Sequence, residues 1–244
     1  MSGHSKWSTI KHKKEKIDSQ RGKIFTKIAR EIIIAVREGG SDSESNSKLR
    51  DAIAKAKASN LPNDNIQRSI KKGAGEQGGA SYEEITYEGY GPKGVAVMIE
   101  ATTDNKNRTA ADIRHYFDKY GGNLGQNGCV SFLFDQKGVM IIEKNNLLTD
   151  DKIMEDALEA GASDVNFEDE YYEIITEPLD FSATYSSLDG KGYAFTQAEV
   201  QFIPQTMVEL TDEKDIANMN RLIEMMEDND DVQDVWHNWE ENDN

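Results

Sequence analysis

The sequence predicts an α+β fold: an N-terminal three-helix bundle followed by two ferredoxin-like α/β domains, the second inserted into the first. Three observations carry that expectation. Apolar residues recur at helical spacing up to Lys72, a glycine-rich run from Gly73 to Ala80 interrupts them, and strand-like runs then alternate with helical ones in a nested order. The boundaries are a basic arm over 1–18, a helical basic domain over 19–72, a linker over 73–80, an α/β domain built from 81–134 plus 206–240, and an inserted ferredoxin-like domain over 135–205.

The opening stretch has too few periodic apolar residues for a core of its own and reads as an arm carrying Lys6, Trp7, Lys11, Lys13 and Lys14. Its lysines can neutralise phosphates while the indole stacks on a base. Trp7 and Ile10 could equally pin the arm to the bundle. From Ser19 to Glu38 the spacing predicts an amphipathic helix stopped by Gly39-Gly40. At 100° per residue, Phe25, Ile28, Ala29, Ile32, Ala35 and Val36 share one face, and Lys23, Lys27, Arg30 and Arg37 fall within about 80° on the opposite one. Such a stripe suits a line of phosphates, though a solvated face looks the same. A Ser/Asp/Asn-rich loop over 41–47 caps a second helix with Leu49, Ile53 and Ala56 inward. A third follows Leu61-Pro62-Asn63-Asp64-Asn65, with Ile66 and Ile70 inward, Arg68, Lys71 and Lys72 exposed, and Gly73 at its end. The flexible linker would let this module move relative to the body.

Beyond the linker, strands Tyr82 to Tyr90 and Val95 to Thr102 flank Gly91-Pro92-Lys93-Gly94 as a hairpin. A helix from Asn107 to Tyr120 and a strand from Cys129 to Phe134 follow. Residues 138–203 then read β-α-β-β-α-β, the ferredoxin-like order. Strand Met207 to Leu210, helix Asp212 to Met226 and strand Val232 to Trp236 complete the unit begun at Tyr82.

The net charge of −17 would argue against a polyanion partner, but it averages two unlike parts. Residues 1–80 carry 17 Lys and Arg against 9 Asp and Glu, net +8, and the remainder carries 11 against 36, net −25. That asymmetry points to a basic nucleic-acid-binding module, or to two parts that attract each other. A single cysteine, Cys129, excludes an internal disulfide framework and fits a reducing compartment. The longest aliphatic run, Ile32 to Val36, is far short of a membrane span. The expectation is a soluble, cytoplasmic monomer.

No phosphate loop, dinucleotide fingerprint, HExxH or GxSxG occurs. His4, His12, His115 and His237 lack metal-ligand spacing, so no metal, cofactor or catalytic residue is expected. Thr103-Asp104-Asn105-Lys106-Asn107-Arg108-Thr109 precedes a helix, where free backbone N–H groups favour an anion. Capping by Asn107 or Thr103 would serve the helix as well, and Arg108 separates the alternatives because capping needs no guanidinium.

Gly3-His4-Ser5-Lys6-Trp7, Ile10-Lys11-His12-Lys13, Arg21-Gly22-Lys23-Ile24-Phe25-Thr26-Lys27, Leu61-Pro62-Asn63-Asp64-Asn65-Ile66, Tyr87-Glu88-Gly89-Tyr90-Gly91-Pro92, Thr103-Asp104-Asn105 with Asn107-Arg108-Thr109, and Gly121-Gly122-Asn123-Leu124-Gly125 occur in that order. In these segments the chain resembles the YebC/PmpR family, including its mitochondrial translational-activator relatives. The resemblance implies a three-domain, non-enzymatic protein, a DNA-binding transcriptional regulator. The alternative it implies is a ribosome-associated translation factor that binds ribosomal RNA and relieves stalling on proline-rich sequences. A metal-dependent enzyme working in the acidic body is a third possibility of a different class. The absence of a recognition helix with base-reading side chains and the acidity of the body favour RNA over duplex DNA on physical grounds.

Overall fold

The computed structural model of the protein describes residues 21–75, 82–145 and 148–240. The predicted arm with Lys6, Trp7, Lys11, Lys13 and Lys14, and most of the linker, lie outside the described residues. In chain order the elements are α1 (Arg21–Gly39), α2 (Ser47–Ala58), α3 (Asn63–Gly73), β1 (Glu83–Tyr90), β2 (Ala96–Thr103), α4 (Lys106–Lys119), β3 (Asn123–Leu124) and β4 (Phe134–Glu143). There follow α5 (Asp150–Ala160), β5 (Asp164–Phe167), β6 (Tyr171–Thr176), α6 (Phe181–Gly190), β7 (Gln197–Pro204), β8 (Val208–Glu209), α7 (Glu213–Asp228), β9 (Val232–His237) and β10 (Trp239–Glu240). The α+β class is as expected. The described residues fall into two compact units, one from 21–75 with 136–145 and 148–201 and one from 82–135 with 202–240.

In the first unit α1, α2 and α3 close a bundle on Ile28, Ile32, Val36, Leu49, Ala56 and Ile66. Buried Asn46 fixes the first corner. Its side-chain amide donates to the carbonyls of Ala35 (2.7 Å) and Gly40 (2.8 Å), and its oxygen accepts the N–H of Leu49 (3.1 Å) as N-cap of α2. A Cβ at Gly39 would lie 2.7 Å from the Asn46 side chain, so the glycine there makes room. The third helix ends at Gly73 as expected, but this glycine is there for packing: a Cβ there would meet Val36 Cβ at 2.7 Å, and it is Gly75 that takes the positive φ of 88°.

The sheet of the inserted stretch has the order β5-β6-β4-β7, with α5 and α6 as its two helices, which is the ferredoxin-like arrangement. The bundle is packed onto this sheet-and-helix layer rather than free of it. Ala54, 1% exposed, and Ala58 join the core of Met140, Ile142, Ile153, Tyr172, Phe181 and Leu188. Beside them the Ser182 hydroxyl donates to Asp51, whose carboxyl burial pushes up despite that bond.

In the second unit the sheet order is β3-β1-β2-β9, with β1 and β2 an antiparallel hairpin from Glu83↔Thr103 to Tyr90↔Ala96. Val97 and Ile99 on one face pack against Ile113 and Phe117 of α4 and Met219, Leu222 and Met226 of α7. Gly122 and Gly89 permit the close approach of β3: a Cβ at Gly122 would lie 2.4 Å from the Tyr90 carbonyl, and one at Gly89 would lie 2.6 Å from that of Asn123.

The opposite face is covered by the segment predicted to be a strand from Cys129 to Phe134. It is instead a turn followed by a short 3-10 helix over Ser131–Leu133, and β4 starts only at Phe134. The cause is Glu88, which is 5% exposed. Its carboxylate accepts the backbone N–H groups of Gly128 (2.7 Å), Val130 (2.8 Å) and Ser131 (2.9 Å), donors that a strand would have spent on a ladder. Val130, Leu133 and Phe134 then close on Ala96, Met98 and Trp236.

Burial raises the Glu88 pKa, but the three N–H groups outweigh it and hold the carboxyl below its ordinary value. A depressed carboxyl contributes stability that is present above the unfolded value and lost as pH falls through the folded one. Glu88→Gln should therefore cost about 2–3 kcal/mol at neutral pH. The difference from wild type should vanish well below the ordinary glutamate pKa of about 4.3, as read by urea denaturation at both pH values.

Candidate nucleic-acid interface

The bundle concentrates the described positive charge, and its geometry divides that charge into cations used internally and cations left outward. Helix α2 uses all of its own. Lys48 meets Glu38 at 2.7 Å, Arg50 donates to the carbonyls of Ser43 and Glu44 at 2.7 Å each, and Lys57 meets Asp189 at 3.1 Å. Lys55 lies between Glu31 (3.0 Å) and Glu199 (3.5 Å). Mutual attraction of the basic and acidic parts, one of the two meanings of the charge asymmetry, is realised here.

On α1 the expected stripe is broken in the middle. Lys27 is buried, at 9% exposure, whereas Lys23 and Arg30 are half-buried and Arg37 is exposed. The reason was available in the sequence: Ile34, seven residues after Lys27, falls on the same flank at 100° per residue and is 2% exposed. That flank is a packing surface. The remaining three cations lie seven residues apart, a row rising about 10.5 Å per step along the helix.

Helix α3 carries the outward charge that the stripe on α1 overshadowed. Ile66, Ser69 and Gly73 face inward, and Arg68 and Lys71 are exposed with Lys72 beside them. Among the described residues no ion pair forms at these three, and on the helix itself Asp64 is the one acidic residue. They were legible as exposed in the sequence, but nothing there said that the cations of α2 would be consumed and these would not.

Arg108 sits in the second unit, at the start of α4, inside a polar knot. Asn105 is the N-cap, accepting the N–H of Arg108 at 3.1 Å, and Thr103 Oγ1 accepts the N–H of Asn105 at 2.9 Å. The Arg108 guanidinium donates to Asp231 at 2.6 Å and Asp104 at 2.9 Å, and Thr109 and Thr103 donate to Asp231 at 2.8 and 3.2 Å. Burial raises the Asp231 pKa, but Arg108 and the two hydroxyls more than reverse this and keep it below its ordinary value. The helix end thus holds an anion of the protein's own, the Asp231 carboxylate.

Among the described residues no group of three or more His, Cys, Asp or Glu is arranged to hold a metal ion, and no helix is long and apolar enough to cross a membrane. The contrast along α1 has a direct test in denaturation midpoints. Lys27→Glu should lower stability by about 2–4 kcal/mol, and Arg37→Glu should change it by less than about 0.5 kcal/mol.

The comparisons with known proteins cover the chain almost end to end. Residues 5–76 match the TACO1/YebC protein N-terminal domain, and residues 82–239 match the TACO1/YebC second and third domain. A protein of Acetivibrio thermocellus named as a probable transcriptional regulatory protein is 62% identical over 98% of this chain and 99% of its own length. One of the same name from Ruminiclostridium cellulolyticum is 60% identical over 99% and 97%. The crystal structure of a conserved hypothetical protein from Aquifex aeolicus is similar at a TM-score of 0.80 and 45% identity, covering 93% of each chain. The chain belongs to the TACO1/YebC family.

Proposed function

We propose that this protein is a non-enzymatic, nucleic-acid-binding regulator of gene expression that grips a polyanion through the outward cations of its helical bundle. The observation that carries the proposal is the division of charge: α2 spends its lysines and arginine internally, and α3 does not. Arg68, Lys71 and Lys72 contact phosphates, with Lys23, Arg30 and Arg37 as a second row and Lys6, Trp7, Lys11, Lys13 and Lys14 of the arm adding to them. Lys27, buried, and Arg108, held by two carboxylates, stay outside the contact face. The names of the relatives as probable transcriptional regulatory proteins support a regulatory role. DNA as the target and a cytoplasmic monomer as the acting form are part of the proposal itself.

A second reading, ribosomal RNA bound by a ribosome-associated translation factor, is favoured by one feature. The residues after 80 carry a net charge of −25, which repels extended duplex phosphate within a Debye length of about 8 Å. Polysome sedimentation with and without nuclease separates the two targets, since only the translation factor travels with ribosomes.

Changing Arg68, Lys71 and Lys72 together to Glu should weaken binding roughly tenfold or more at low salt. It should also flatten the dependence of log affinity on log salt by about 3 for duplex DNA, or about 2 for a single strand. Filter binding over a salt series reads both quantities, and an unchanged slope would sink the proposed contact face.

A further inference from the structure

The segment from Tyr120 to Phe134 contains no charged residue, in a chain that is 30% charged. Within it the backbone is fixed at several points. Glu88 accepts three N–H groups, the Tyr90 hydroxyl donates to the Cys129 carbonyl at 2.8 Å, and Leu133 N–H donates to Val130 at 2.9 Å. The 3-10 turn sends Val130 inward to the core and leaves Phe132 outward at 65% exposure, the one aromatic among the large exposed apolar side chains of the described residues. Gln126 and Asn127, earlier in the same loop, are exposed too.

An aromatic ring held out by a clamped backbone loses little conformational freedom on binding, and amide side chains of the same loop can donate and accept at the edge of a planar ring. We infer that this loop is a base-contacting site, in which an unpaired nucleobase stacks on Phe132 and its edge meets Gln126 or Asn127. The inference rests on the nucleic-acid reading above and extends it from phosphates to bases. Electrostatics select the form of the ligand. The unit that carries the loop has 7 Lys and Arg against 21 Asp and Glu over residues 80–135 and 202–244, so it disfavours phosphates. A base splayed from a single strand can reach the ring with its phosphate turned away, whereas a base inside a duplex cannot. Glu88 is a positioning residue for the loop.

The test is fluorescence anisotropy with a short labelled oligoadenylate, alone and paired in a duplex, across a salt series. Phe132→Ala, at an exposed position, keeps the fold. It should weaken single-strand binding by about 5- to 100-fold, the range for loss of one stacked base, with the salt slope and duplex binding unchanged. Phe132→Trp should restore the affinity. A Phe132→Ala protein that binds the single strand as wild type does overturns the inference, as does a wild-type protein that binds the duplex alone; either result leaves the cationic face of α3 standing. A slope unaffected by the triple change on α3 removes that face instead, so the two failures are distinguishable.

Discussion

Helix α2 belongs to two cores at once, and the first unit is built around that constraint. Leu49, Ala52 and Ala56 pack into the bundle, whereas Ala54 and Ala58 pack into the inserted α/β layer. A helix can be buried on opposite sides at such close quarters only if its side chains are small, and alanine supplies this at no cost in helix propensity. The lysines between the alanines then emerge at the seams, where Glu31, Glu199 and Asp189 meet them. What looks in the sequence like a basic helix for binding is a basic helix for assembly.

Much of the architecture could be read from the residues, because it follows from periodicity. The β-α-β-β-α-β order after Gly138, the hairpin around Pro92 and the inward faces of the three helices are local signals, and they agree with the fold. Buried Lys27 was a local misreading, since Ile34 lies on its flank seven residues on, but the others share one cause: a partner distant in sequence. Cys129 to Phe134 has the composition of a strand, but Glu88, some forty residues earlier, takes its N–H groups. The second packing face of α2, on Ala54 and Ala58, is not legible locally either, because it exists only where α6 lies. Arg108 was rightly placed at a helix start, and the anion proved to be Asp231, 123 residues on.

Negative charge in this molecule is therefore more than a surface property. Glu88 organises a loop and Asp231 ties a strand end to a helix start. Asp156, almost fully buried, collects Lys191 at 2.6 Å, Tyr193 at 2.6 Å and Lys152 at 3.1 Å, which hold its pKa at about 2. Each of these three carboxylates has several donors, the condition under which burial of a charge is tolerated.

The double role of α2 also has a consequence in time. Asp51 and its partner Ser182 are 131 residues apart in the chain. At a synthesis rate of roughly 5–20 residues per second, the bundle leaves the ribosome about 7–26 s before the layer that receives its second alanine face. During that interval the nascent helix presents Ala54, Ala58 and four basic side chains with only part of their final company, next to the most concentrated polyanion in the cell.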